Sequence, residues 1–146
     1  MIQQDTMLGL SVGDEIPTFV RENTGLHHFN RYAAVNDEFV PIHMDDDAGH
    51  KAGYPSAFGT GNLSTAYLLN VLRSWIGEEG TVRALACQFR QPNLKDTTVV
   101  ARGRITSILV EDDETVAELE VWTEDGEGNR LAPGTATVAI VDLARI

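Results

Sequence analysis

The chain has 146 residues, of which 42% are hydrophobic and 23% charged, with a formal net charge of −11. That length and balance fit one domain over residues 1–146 and exclude a disordered chain. They also argue against a nucleic-acid partner, whose phosphates need a surplus of Lys and Arg.

The opening residues, 1 to 16, read as a lead-in that ends in the turn "SVGDEIP". The first twenty residues hold Asp5, Asp14 and Glu15 and no basic run, so no secretory signal is expected. A short strand, "TFVREN", comes next. From Gly25 the pattern changes to helical spacing, with Leu26, Phe29, Tyr32 and Ala33 in "LHHFNRYAAVN" and Thr24 as N-cap. Asp45 to Asp47 then read as the charged start of a short helix that stops before Pro55. "SAFGTGNL" reads as a glycine-bearing loop.

Residues 63 to 76 are apolar around most of the helical circumference, which marks a helix buried on most sides. Asn62, Asn70 and Arg73 interrupt the apolar stretch of 58 to 76 and argue against a membrane span, so a cytoplasmic protein is expected. Beyond "GEEG", strands are predicted at 82–91, 97–110, 114–124 and 130–142, joined by "PNLKD", "EDDE" and "EDGEGN". The lone cysteine, Cys87, falls in the first of them and reads as a buried strand residue; one cysteine excludes an internal disulfide and a Cys-based zinc site. Four such strands can form a meander with the helix at 63–76 covering one face. The predicted class is α+β, a curved antiparallel sheet wrapped around one long central helix.

Chemistry concentrates in "NDEFVPIHMDDD", residues 36 to 47, where five acids and a histidine surround Phe39, Val40, Pro41 and Ile42. So many charges around an apolar stretch raise the question of what would place Glu38, or its neighbour Asp37, near His43 on a partly buried turn. A metal site from His43, Asp45 and Asp47 is a weaker reading of the same residues, and "DDDAG" lacks the alternating ligands of a calcium loop. His27 and His28 are helix neighbours pointing about 100° apart, which gives no joint role. Tyr67, Trp75 and Trp122 read as core or interface aromatics.

"RYAAVNDEFVPIH", followed by Asp45 and Ala48, resembles the hydratase motif of the MaoC-like acyl dehydratases, the (R)-specific enoyl-CoA hydratase family. That motif runs from an aromatic and small residues to Ser-Gly-Asp-x-Asn-Pro-(Leu/Ile)-His. "GYPSAFGTGNLSTAYL" resembles the family's loop ending in His-Gly-Met-Leu, and "QFRQPNLKDTTVVARGRIT" resembles its strand pair with Phe-x-x-Pro-x-x-x-Gly-Asp. The three blocks cover residues 25 to 108 in the family's order. The resemblance implies the hotdog fold.

It also implies that His43 is the catalytic histidine and that Glu38 stands at the catalytic aspartate, with Val40 at the motif's asparagine and Thr60-Gly61 at its His-Gly. Glu38 and His43 would hold one water between them. A backbone N–H at Gly61, or at Gly59 on the other reading of the loop, would meet the thioester oxygen. Asp37, Val40, Gly59 and Asn62 are the implied substrate-binding residues. The implied substrate is an acyl-CoA thioester, with no metal and no other cofactor. Arg90, Lys95, Arg102 and Arg104 are open candidates for the CoA phosphates. The implied assembly is a homodimer, with a heteromer containing another MaoC-like chain as the alternative. Two rival activities accompany it: a catalytically weak acyl-CoA-binding subunit, favoured by Val40 and Glu38, and a thioesterase on the same fold.

Overall fold

Strand β1 (Phe19–Thr24) leads into helix α1 (Leu26–Asn36), a 3₁₀ turn at Pro41–His43 and the short helix α2 (Asp46–Lys51). Then follow β2 (Phe58–Gly59), the long helix α3 (Gly61–Ile76) and five further strands. These are β3 (Gly80–Cys87), β4 (Asn93–Leu94), β5 (Thr97–Glu111), β6 (Glu114–Asp125) and β7 (Arg130–Val141). The computed structural model describes residues 9–141. The predicted lead-in and signal-free stretch lie partly outside that range, as does residue 142 of the last predicted strand.

One antiparallel sheet has the order β1-β5-β6-β7-β3, and β2 pairs with β4 in a second, two-residue ladder. β5, β6 and β7 form a meander because the two turns between them are short. β3 does not precede β5 in that meander. It crosses over to the far edge and pairs with β7, from Gly80 opposite Ile140 to Cys87 opposite Gly134. A meander of all four strands is therefore corrected to a meander of three with β3 added outside it. β3 also stops at Cys87 rather than at 91. Gln88 N–H donates to the carbonyl of Pro133, but proline has no N–H to return, so the ladder ends there. As an edge residue Cys87 is half-buried, not buried, with its sulfur 3.5 Å from Thr65 Oγ1.

Register shifts between Val82 and Ala84, and between Ile105 and Ser107, mark irregularities of the kind that increase twist and curl the sheet. Into the hollow goes α3. Leu63, Tyr67, Val71 and Leu68, Leu72 form adjacent helical stripes that meet Ala101, Ile105, Leu119, Val121 and Val138 in one core. Burying each large apolar side chain of this kind contributes about 1.5–3 kcal/mol. The curved sheet around a central helix expected from the sequence is the observed architecture. The helix is less enclosed than its apolarity suggests, since Asn62, Asn70, Arg73 and Ser74 are exposed. No described helix is long and apolar enough to cross a membrane.

The first helix begins one residue later than its predicted cap. Gly25 is the N-cap, and His28 Nδ1 accepts the Gly25 N–H at 3.2 Å. Thr24 is occupied elsewhere: fully buried, its hydroxyl lies 3.0 Å from Asn93 Oδ1 and 2.9 Å from the Thr97 carbonyl. The rings of His27 and His28 also lie closer than helical angles suggested, with centroids 3.8 Å apart. Trp122 is a core aromatic, with the Arg130 guanidinium 4.2 Å from the ring centre, and Trp75 is half-buried.

Candidate active site

The acid–histidine stretch begins where α1 ends. Asp37 terminates the helix in the left-handed conformation (φ 53°, ψ 41°), and both its N–H and that of Glu38 donate to the Ala33 carbonyl. Aspartate is among the few residues that adopt this geometry at modest cost, so Asp37 serves the helix end. Glu38 follows it into solvent. Its carboxylate makes no hydrogen bond or ion pair among the described residues. Its nearness is felt by Tyr32, whose phenol is pushed up by burial and secondarily by the Glu38 charge. Phe39 and Val40 are exposed, at 56% and 39%.

Pro41 then opens the 3₁₀ turn at the position where a missing N–H costs nothing. The turn ends on His43, which is half-buried. His43 Nδ1 lies 2.8 Å from the carbonyl oxygen of Phe58. A carbonyl only accepts, so Nδ1 carries the proton and the neutral ring has its lone pair on Nε2. The Phe58 ring meets the imidazole edge-on at 5.0 Å, which fixes the ring plane as well.

What holds Phe58 there is α2. Asp45 caps it by accepting the Asp47 N–H at 3.1 Å, as the acidic start suggested. Asp46 does more than complement a helix end. Its carboxylate accepts the Ala57 N–H at 3.0 Å and Lys95 Nζ at 2.6 Å, binding α2 to the approach to β2 and to the turn before β5. The Lys95 hydrogen bond, then that of Ala57, holds the Asp46 carboxyl below its usual range. Gly49 completes the contact: a Cβ there would run into the backbone of Ser56. The predicted loop "SAFGTGNL" thus contains a strand and the start of a helix, because β4 supplies pairing partners for Phe58 and Gly59.

Gly61 is the first residue of α3, and its cap residue Thr60 makes no side-chain hydrogen bond to the helix end. The leading N–H groups of a helix have no partner within it and sit at the positive end of its dipole. The Phe89 ring lies against the Gly61 Cα, in the space a Cβ would fill, so a larger residue at 61 would have to displace that exposed ring. Around this corner is a cavity of about 190 Å³, lined by Phe58, Gly59, Gly61, Ser64, Phe89, Arg90 and Asn93 among others. Asn93 had no place in the sequence reading. It is 3% exposed, its Oδ1 is engaged by Thr24, and its Nδ2 is buried without a partner. The only sequence signal for it is its place directly after the Phe-x-x-Pro block.

The structure therefore places His43 against Phe58, puts Gly59 and Gly61 on the cavity that Phe58 also lines, and leaves Glu38, Asp37 and Val40 on the exposed segment between α1 and the 3₁₀ turn. Asn62 is exposed in the first turn of α3. Among the four basic candidates, Lys95 is paired with Asp46, Arg102 with Glu124 at 2.6 Å and Arg104 with Glu15 at 2.9 Å. Arg90 lines the cavity, and its guanidinium bonds the neutral Gln88.

Solved structures share this fold. R-hydratase PhaJ1 from Pseudomonas aeruginosa aligns with a TM-score of 0.82 at 15% identity, over 92% of this chain and 84% of that one. A MaoC-like dehydratase from Rhodospirillum rubrum aligns with a TM-score of 0.79 at 15% identity, over 92% and 95%. The chain has the MaoC-like hotdog fold. A third hotdog chain, from the ChsH1–ChsH2 complex of Mycobacterium tuberculosis, aligns with a TM-score of 0.77 at 18% identity, over 88% and 97%. No protein-family model and no curated protein matches the sequence.

Proposed function

We propose that this chain is an acyl-CoA hydratase or dehydratase, adding water to the 2,3-double bond of an enoyl thioester or removing it. The observation that carries the reading is the bond from His43 Nδ1 to the carbonyl of Phe58, the residue before Gly59, which leaves the lone pair on Nε2. Hydration needs a hydroxyl at C3, a proton at C2 and a home for the enolate charge. In this reading Glu38 reaches across from the end of α1 and shares one water with His43. His43 Nε2 takes one proton from the water as its oxygen attacks C3, the Glu38 carboxylate orients that water, and the imidazolium then passes the proton to C2. The thioester oxygen sits at the start of α3, where the Gly61 N–H and the positive helix end oppose its developing charge. Asn93 Nδ2, a buried donor in need of an acceptor, supports the same placement. Arg90 is the basic residue best placed for CoA phosphates.

The acyl chain is assigned to the side of α3 that the sheet leaves open, past Ala66, five residues or about 7.5 Å of helix rise beyond Gly61. Ala66→Trp is expected to depress turnover of long enoyl-CoAs more than of short ones. Equal loss at every chain length would remove the path from this position.

The assembly proposed is a cytoplasmic homodimer, because β1 and β3 leave two sheet edges unpaired. A heteromer is the second reading, favoured by the exposed Glu38 and by Val40 at the motif's asparagine. Mass in solution and turnover of trans-2-enoyl-CoA by the protein alone, then with a co-expressed MaoC-like neighbour, separate the two. A dimer active alone and indifferent to the neighbour is the expected result. A silent homodimer rescued by the neighbour would leave this chain as the acyl-CoA-binding subunit of a hydratase.

A further inference from the structure

A cavity of about 550 Å³ runs between α1 and α3, bordered by Arg21, His28, Arg31, Tyr32 and Tyr67 together with Leu63, Ala66 and Asn70. It is a basic place on an acidic chain, which carries 11 Lys and Arg against 22 Asp and Glu. Elsewhere Arg83, Arg102, Arg104 and Arg130 each meet a carboxylate. Among the described residues neither Arg21 nor Arg31 does. Arg21 is held instead over the Phe19 ring, 5.0 Å from its centre.

These charges converge. His28 is drawn below its ordinary value first by burial, then by His27, Arg21 and Arg31. Because His28 Nδ1 accepts the Gly25 N–H, the neutral ring carries its proton on Nε2 and is a donor there. Tyr67 is only 5% exposed, and its hydroxyl is buried with no hydrogen-bond partner. Burial pushes that phenol up, and the Arg21 charge pulls against it. A buried hydroxyl left unpaired is destabilising, and so are two guanidinium groups at one cavity with no carboxylate in salt-bridge contact among the described residues. An anion in the cavity corrects both at once. Beside the donors, Leu63 and Ala66 offer an apolar wall that an inorganic anion would leave bare.

We infer that this cavity binds the carboxylate of a short aliphatic acid, with Arg21 and Arg31 as counter-charges and the Tyr67 hydroxyl as donor. Resting on the thioester reading above, the source of that carboxylate is the far end of the acyl group, so the substrate is a dicarboxylic acid joined to CoA at one end. Guanidinium groups suit a carboxylate's two oxygens.

The test is equilibrium binding by calorimetry to the full chain, using glutaryl-CoA, pentanoyl-CoA, free glutarate and inorganic phosphate. Glutaryl-CoA is expected to bind about tenfold or more tightly than pentanoyl-CoA, the worth of one charge-assisted contact. In Arg21→Gln/Arg31→Gln the ratio should fall to near one. Tyr67→Phe should also reduce the ratio, and a ratio left unchanged by it overturns the hydroxyl's part in the site. Equal binding of the two thioesters, a preference that survives the double variant, or phosphate binding as well as glutarate does, overturns the inference. If neither thioester binds but glutarate does, through the same arginines, the carboxylate site stands and the thioester reading falls. Binding of none of the four overturns the site itself.

Discussion

His43→Ala is expected to lower the hydration of an enoyl thioester by about 10²–10⁴-fold, the usual worth of a positioned acid–base group, while leaving the melting temperature little changed. The loss should fall on kcat, because the imidazole acts on the reacting water and not on the remote parts of the substrate. Glu38→Ala should cost a similar factor, and its exposure makes a folding defect a poor explanation for any loss. Glu38→Asp carries more information still. If the segment after α1 is arranged around the longer acid, the shorter one falls short, and ~1 Å of misplacement costs about 10²-fold. A gain in activity from aspartate would instead identify Glu38 as a decayed position. Steady-state rates over several enoyl chain lengths decide among these, and wild-type rates in both alanine variants would remove the pair from the mechanism.

Gly49→Ala is expected to destabilise the protein by about 1–3 kcal/mol or more, although alanine is the better helix former. The obstacle is the Ser56 carbonyl group, which belongs to the backbone and has no alternative rotamer to adopt. Moving it displaces the residues up to Phe58, and with them the carbonyl that sets the tautomer of His43. A lower urea midpoint and a lower kcat should therefore appear together. Gly126→Ala is the control, since a Cβ there makes an ordinary 3.6 Å contact with Thr98. An unchanged midpoint for Gly49→Ala would show that α2 does not lie tightly on residues 56–57.

The local elements were legible in the sequence because their signals are local. Alternation and short turns reveal β5 to β7, and the apolar run from Leu63 reveals α3. The partner of β3 was not legible, because nothing in "GTVRALAC" says that it pairs with residues near 140 and not with the strand that follows it. Thr24 failed for a related reason. Its hydroxyl has two suitable uses, and the one that wins depends on Asn93 and Thr97, far along the chain. At the candidate site, the motif points to His43 and Gly61 as the proposed catalytic residues, but it gives no sign of the Phe58 carbonyl or Asn93 Nδ2. A backbone acceptor has no residue signature, and a buried amide is informative only once its other end is known to be occupied.

The crossover of β3 bears on how the molecule comes to be made. During synthesis β3 emerges with no strand to join, since its partners lie between Gly134 and Ile140. β1 likewise awaits β5, with Phe19 opposite Ala101. Contacts so distant in sequence close late and slow the search for the native state. Until β7 is available the apolar side of α3, with Leu68 and Leu72, lacks part of its cover. A nascent chain held in that condition is exposed to aggregation, so the yield of folded protein depends on how quickly the segment from Arg130 to Val141 reaches the sheet.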